Sequence, residues 1–523
     1  MAKVIATDTS IGASLVVRPQ LDPCHETNPV VVDNEPVSRS TAVSEPGAPL
    51  VNIHEADLRL TKRYETKLTV NRSLDRALVS YQASKGEIES RWYKYKEGFS
   101  SALVRYVCDE VGVSGGHVLD PFAGSGTTLF VASELGIDAT GIELLPSSVE
   151  SIEVRRLLLD SSRQRVADAL RAFGQSRVWE LSGPEQTFPH VRITARAFSH
   201  ETERLLGRYL FQVDRTPDPV LARVLRFAAL CILESVSFTR KDGQYLRWDY
   251  RSGKQYGGSK RFDKGYIRGF SEAICGKLEE MSADLCAGES NGPTLFDFLI
   301  SPRQRGRIDV ISGSCLDVLP TLGAGSYDGL ITSPPYCNRY DYTRTYALEL
   351  AMLGVGEEGL RRLRQTMLSC TVENRDKEGL TDRYPKYRYE RAVSAWSSQE
   401  LLQMVLSYLE TCRLDGTINN AGIPRMVRNY FLEMALVIFE SARVLKPGAP
   451  LVMVNDNVRY QGAHLPVDLI LSDFAVQAGF EVEKIWVLPR GKGNSSQQMG
   501  AHGRTELRKC VYVWRRLRDA ECA

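Results

Sequence analysis

One segment constrains the fold more than any other. HVLD (117–120) reads as a short buried strand, PFAGSG as a glycine-rich turn, TTLFVASELG as a helix ending at Gly136, and DATGIE (138–143) as a second strand. Two strands joined through a helix must run parallel, by a right-handed crossover. The same alternation resumes at IDVIS (308–312) and YDGLIT (327–332), then after a helix at about 426–444 at APLVMVN (449–455). A helix at 466–478 follows, then EVEKIWVL (481–488) and KCVYVW (509–514), joined by a glycine- and serine-rich loop that would let them pair antiparallel. The expected fold class is α/β: a doubly wound, seven-stranded, mainly parallel sheet.

At 523 residues the chain is too long for one core. Between Glu143 and Ile308 lie 165 positions, where a crossover needs about a dozen. That gap predicts a mainly helical inserted domain, and Ile267, Phe270, Ile274, Leu278, Met281 and Leu285 step through it at helical spacing. The expected organisation is a flexible, proline-rich leader at 1–55, a first half of the sheet domain at 56–160 and an insert at 161–305. The sheet continues at 306–354, a second insert occupies 355–425, the second half of the sheet 426–516 and a tail 517–523. Within the first half, about 60–112 reads as helical and basic, with Leu103, Val104, Val107, Cys108 and Val111 on one face before Gly112.

Composition excludes several classes. Hydrophobic residues at 43% and charged residues at 25% fit a soluble globular protein, and no apolar run is long enough to span a membrane. The N-terminal residues lack a secretory pattern, so a cytoplasmic location is expected. Lysine plus arginine total 66 against 64 acidic residues, which excludes a uniformly basic nucleic-acid binder but leaves room for a basic face. Eleven cysteines without a C-x-x-C pair argue for reduced thiols, and no metal is expected.

Two motifs carry chemistry. In LDPFAGSGTT (119–128), glycines after a strand let the backbone approach a ligand, and the next helix offers free N–H groups. Neither the lysine of a phosphate loop nor the dinucleotide pattern is present. Asp120 at the strand end would repel phosphate but suits an ammonium group, and Glu143 is placed to take ribose hydroxyls. An amino-acid-bearing nucleoside satisfies both. In TSPPYCNRYDY (332–342), Ser333 and the Pro334 carbonyl can accept hydrogen bonds from an exocyclic amino group, and Tyr336 offers a face for a base.

Together, DPFAGSGTT followed by SPPY resembles the S-adenosylmethionine-dependent amino-methyltransferases of DNA, which modify N4 of cytosine or N6 of adenine. The resemblance covers most of 92–516 apart from the inserts. It implies a class I methyltransferase-like sheet and S-adenosyl-L-methionine as cofactor, held by Asp120, Phe122, Gly124, Ser125, Gly126 and Thr127, with Glu143 on the ribose. It further implies Asp317 of SCLDVL on the adenine ring and, through the looser match RWYKYKEGFSSALVRY, Phe99. The catalytic motif maps to Ser333, Pro334, Pro335 and Tyr336, and its serine form favours N4 of cytosine over N6 of adenine. The target base must flip out of the duplex, stacking on Tyr336.

Double-stranded DNA is therefore the expected partner, at the nucleoid, with a separate restriction endonuclease or defence-system subunits as further partners and no membrane. The basic, aromatic stretch 238–264 is the first candidate DNA surface, through Arg240, Lys241, Tyr245, Arg247, Trp248, Arg251 and Lys254. RRLRQ (361–365) and RYPKYRYER (383–391) form a second, and the loop 490–509 could present Arg490, Gln497 and Gln498 to the target strand. Two alternatives remain: an RNA N2-guanine or N6-adenine methyltransferase, and a non-catalytic DNA-binding subunit on a relic fold. The leader lacks the pattern of a folded RNA-binding domain, and a relic would have lost the glycine loop or the PPY.

Overall fold

The computed structural model describes residues 48–75, 77–242, 245–254, 261–290, 304–489 and 507–518, apart from the side chains of Ala48, Tyr245 and residues 288–290. Its strands are β1 (Leu68–Val70), β2 (His117–Asp120), β3 (Asp138–Glu143), β4 (Thr239–Asp242), β5 (Tyr245–Trp248), β6 (Ile308–Ser312), β7 (Gly329–Thr332), β8 (Pro450–Asp456), β9 (Val458–Tyr460), β10 (Ala463–Leu465), β11 (Phe480–Val487) and β12 (Lys509–Arg516). Eight form one sheet in the order β1-β11-β12-β8-β7-β2-β3-β6, while β4 pairs with β5 and β9 with β10 as separate hairpins. All seven strands read from the sequence are present, and β12 runs antiparallel to both β8 and β11. The eighth, β1, adds parallel to β11 at an edge; three residues, with Leu68 half-buried and Thr69 and Val70 exposed, are too few for a periodic signal.

Period-2 alternation sorts the strand residues onto two faces. Leu119, Leu330, Leu451, Met453, Tyr512 and Trp514 enter one core, and Val118, Ile331, Val452, Val454, Val511 and Val513 the other. A sheet covered on both sides reads as continuous apolar runs, which is why its strands were visible in sequence. From β2 the chain crosses to β3 on one side, and from β7 to β8 on the other. The carboxyl ends of β2 and β7 therefore flank a switch point, where such sheets bind ligands.

Between β3 and β6 run the helices Pro146–Leu159, Arg163–Ser176, His200–Asp214, Pro219–Val236 and Phe270–Ser290. Their shared core holds Trp179, Tyr209, Phe227 and Phe270, and it also takes in Trp92, Tyr93, Tyr95, Tyr342 and Tyr346 from beside the sheet. Residues 47–523 form one compact unit, so the insert shares its core with the segments that wall the switch point.

Three expectations need correction. The last eight residues of the supposed leader belong to the helix Ala48–Arg63, whose Ile53, Ala56 and Leu60 are buried in the sheet's core. Proline-rich surroundings hid that stripe; residues 1–47 lie outside the described set. The span 60–112 is mostly turns, with its long helix confined to Ser101–Val111 between the N-cap Ser100 and the left-handed Gly112. Ile267 precedes the helix that its stripe predicted, which begins at Phe270.

Candidate active site

At the switch point a cavity opens between the glycine loop, the end of β3, the start of the segment after β6 and the SPP turn. Gly124 and Gly126 take φ values of 55° and 84°, left-handed conformations that glycine adopts without strain. A Cβ on Gly124 would stand 2.8 Å from the Tyr95 ring. The Gly124 N–H donates to Glu143 Oε2 at 2.7 Å and Leu145 N–H donates to Oε1 at 2.7 Å, tying the loop to the end of β3. Asp120 Oδ1 accepts from Thr332 Oγ1 at 2.6 Å and from Phe122 N–H at 3.1 Å, linking β2 to β7.

Burial pushes the Asp120 carboxyl up to about 6 and that of Glu143 up to about 7, against the hydrogen bonds that favour their ionised forms. A third cavity carboxylate, Glu97, is likewise raised by burial. Among the described residues, no lysine or arginine lines this cavity. Elsewhere among the described residues buried carboxylates are ion-paired, as Glu433 is to Lys377 at 2.6 Å, Asp468 to Arg508 at 2.9 Å and Asp473 to Arg63 at 3.0 Å. The cavity thus concentrates negative charge that the protein does not compensate, a setting for a ligand bearing positive charge.

Asp120, Phe122, Gly124, Ser125, Thr127, Glu143, Phe99, Ser333 and Pro335 all line the cavity. Gly126 stands behind it as the N-cap of the helix Thr127–Glu134. Pro334 is buried and Tyr336 half-buried beside it. Ser333 Oγ has its single proton within reach of Val454 O at 3.2 Å and Tyr336 Oη at 3.3 Å, so its lone pairs remain able to accept. Burial raises the Tyr336 phenol and Asp456 nearby raises it further, so the ring carries no charge at neutral pH. Cys337 is fully buried, and its carbonyl accepts from Tyr460 Oη at 2.6 Å, which pins the turn to β9.

Asp317 is a correction. It lies on the short helix Cys315–Val318 with its carboxylate paired to Arg383 at 3.0 Å, away from the cavity, which Gly313, Ser314 and Cys315 line instead. The helical turn carries position 317 to the outer side. Sequence reading also missed Tyr95, Glu97 and Tyr342, which line the cavity from segments already noted for other residues. Their signal was the company of Phe99 and of the SPPY turn.

The basic stretch divides by strand alternation. Arg240 and Arg247 are exposed and directly opposite each other on β4 and β5. Lys241 is a correction: it points inward, 3% exposed and ion-paired to the equally buried Glu349 at 2.6 Å. Trp248 is also buried, capped by the Lys254 ammonium 3.6 Å above its ring. Lys254 donates to the Ile193 carbonyl at 3.1 Å and is lowered to about 8, by burial and then by Arg196. Arg251 is bound to the buried Asp249 at 2.7 Å, an internal bond rather than a free surface charge. Lys241, Trp248, Arg251 and Lys254, four of the expected DNA contacts, are instead engaged within the protein. Tyr245 is described only through its backbone in β5, and Arg490, Gln497 and Gln498 lie outside the described residues. In the second basic stretch, Arg364, Arg383 and Arg388 are committed to Asp341, Asp317 and Glu440.

Comparison with known proteins agrees with this geometry. Residues 52–154 match a family model described as DNA methylase, of the N6/N4 type. The chain is 50% identical over 458 residues to the type II methyltransferase M.AvaI of a Nostoc species, covering 87% of this chain and 92% of that protein. The M.AvaI of Anabaena variabilis gives the same figures. The type II methyltransferase M.BsoBI of Geobacillus stearothermophilus is 39% identical over 478 residues, covering 87% and 91%. Among the described residues, no helix is long and apolar enough to cross a membrane.

Proposed function

Because this chain belongs to the type II DNA methyltransferases, in the family that methylates exocyclic amino groups, we propose that it transfers a methyl group from S-adenosyl-L-methionine to N4 of a cytosine flipped out of duplex DNA. Adenine N6 is the second target. The observation that carries the donor is the cavity's charge: Glu97, Asp120 and Glu143 face it with no cationic side chain among the described residues. S-adenosylmethionine fits, since its sulfonium and ammonium are the positive charges that site lacks.

When bound, the donor supplies an electrophilic methyl group. The protein's work is to place an amino nitrogen against it. That nitrogen is a poor nucleophile because its lone pair is delocalised into the ring. Ser333 Oγ and the Pro334 carbonyl would accept its N–H groups, favouring a tetrahedral nitrogen whose lone pair is free. Two prolines hold these acceptors without competing backbone donors. Such positioning is worth up to about 7–11 kcal/mol in well-oriented systems. Tyr336, neutral and half-buried, offers the flipped base a stacking face, offsetting the few kcal/mol that flipping costs. Arg240 supports DNA contact at the hairpin: it is exposed on β4 with no ion pair among the described residues, whereas Arg247 opposite it is paired to Asp242 at 3.0 Å.

The test is direct. The protein is incubated with methyl-labelled S-adenosylmethionine and either duplex DNA or total RNA, and the methylated nucleoside is identified by mass spectrometry. N4-methylcytosine in DNA is expected. N6-methyladenine would change the target atom, and label confined to RNA would overturn the reading. A restriction endonuclease of matching site specificity is the proposed partner, tested by protection of methylated DNA from it.

A further inference from the structure

Glu97 stands apart from every other acid near the cavity. Asp120 and Glu143 each accept from backbone N–H groups or a threonine of the sheet. Glu97 has no such backbone donor among its recorded bonds; its carboxylate accepts from the Tyr346 and Tyr340 hydroxyls. No ion pair to Glu97 is present among the described residues, although it is half-buried and lines the cavity. Lys241 and Lys96 act on this carboxylate only from a distance, so its charge has no direct cationic partner among the described residues.

Its surroundings hold it in place. The Tyr346 ring stacks on Tyr95, another cavity wall, with centroids 5.6 Å apart and planes at 24°. Lys96 N–H donates to the same Tyr346 hydroxyl at 3.2 Å, leaving its proton for Glu97. The Lys241 ammonium lies 4.2 Å over the Tyr346 ring while bonded to Glu349. A lysine of the insert's hairpin thus fixes the tyrosine that fixes Glu97.

We propose that Glu97 binds the ammonium group of the methyl donor's amino-acid portion, with Tyr346 as its positioning residue and Lys241 as the insert's contribution to the donor site. This rests on the reading that the cavity takes S-adenosylmethionine. Within the cavity it separates two tasks: Glu97 meets the ammonium, and Asp120 and Glu143 remain for the rest of the ligand. The segment that the family resemblance supplied only with Phe99 then also supplies a charge.

Three probes separate this role from a structural one: S-adenosylmethionine, S-adenosylhomocysteine, which keeps the ammonium but has a neutral sulfur, and 5′-methylthioadenosine, which lacks the amino-acid portion. Binding is measured by calorimetry on the full chain. In Glu97→Gln the first two are expected to weaken by roughly 10–100-fold, the scale of one charge-assisted hydrogen bond, while 5′-methylthioadenosine stays within about twofold. Tyr346→Phe should show the same selectivity with a smaller loss, about three- to tenfold. Unchanged binding in Glu97→Gln, or equal loss of all three ligands, would overturn the proposal. If the wild-type chain bound no S-adenosylmethionine, the donor reading would fall and take this one with it. Wild-type binding with an indifferent Glu97→Gln would sink this proposal alone.

Discussion

On the buried face of the helix Ile423–Val444, Glu433 sits 2% exposed with its oxygens taken by Lys377 Nζ, Ser369 N and Ser369 Oγ, all at 2.6–2.7 Å. At the switch point, Asp120 is as deeply buried but meets only neutral donors. The first site is complete as folded: charge, countercharge and hydrogen bonds close on one another. The second leaves its charge open, and burial lifts its carboxyl instead. A buried acid without a countercharge is tolerated where a ligand supplies the missing cation, so the contrast supports the proposed binding site without reference to any motif.

The largest expected effect comes from breaking the closed site. Lys377→Met would leave Glu433 buried and unpaired, and urea denaturation should show a loss of about 3–5 kcal/mol. A loss below about 1 kcal/mol would mean that pairing is not what permits burial there. Asp120→Asn, by contrast, should stabilise the ligand-free protein at neutral pH. A carboxyl lifted from 3.8 to about 6 corresponds to about 3 kcal/mol. Because the folded acid keeps its proton to higher pH than the unfolded one, this stability is fully present below about pH 4 and is lost as pH rises through about 6. The variant should lack that decline, and an identical pH slope in both proteins would refute the assignment.

The same acids should govern donor affinity. S-adenosylmethionine is expected to bind roughly tenfold more tightly at about pH 8 than at about pH 5.5, as Asp120 and then Glu143 ionise, with a smaller gain for S-adenosylhomocysteine. Equal gains would remove the sulfonium from the argument. The smallest effect concerns the hairpin. Arg240→Ala should lower the salt slope of DNA binding by about 1, whatever the sequence, while Lys254→Met leaves it unchanged. A lowered slope in Lys254→Met would reopen the inward residues as DNA contacts.

Much of the sheet could be read in advance because its strands are buried on both faces and its helices are capped by residues with one conformational use, such as Ser100 and Gly112. The glycine loop was legible because only glycine fits beside Tyr95 at a left-handed position. Asp317 was misread because a short helix after β6 turned it outward, a matter of a hundred degrees per residue that spacing from the strand does not reveal. Lys241 was misread for a similar reason. In a basic, aromatic stretch composition cannot say which side faces in, and a four-residue strand decides it by alternation.

The sequence by itself determined that the chain folds as a parallel α/β sheet with a glycine loop and an SPPY turn at its strand ends. Local rules suffice for this: strand periodicity, helix capping and the conformational demands of glycine and proline act over a few residues each. Tertiary structure alone decided which charges would be cancelled. Lys377 finds Glu433 across 56 positions and Lys241 finds Glu349 from inside the insert, while Glu97, Asp120 and Glu143 converge on a cavity that no described lysine or arginine lines. Pairing depends on which side chains meet after burial, and burial is a property of the whole fold.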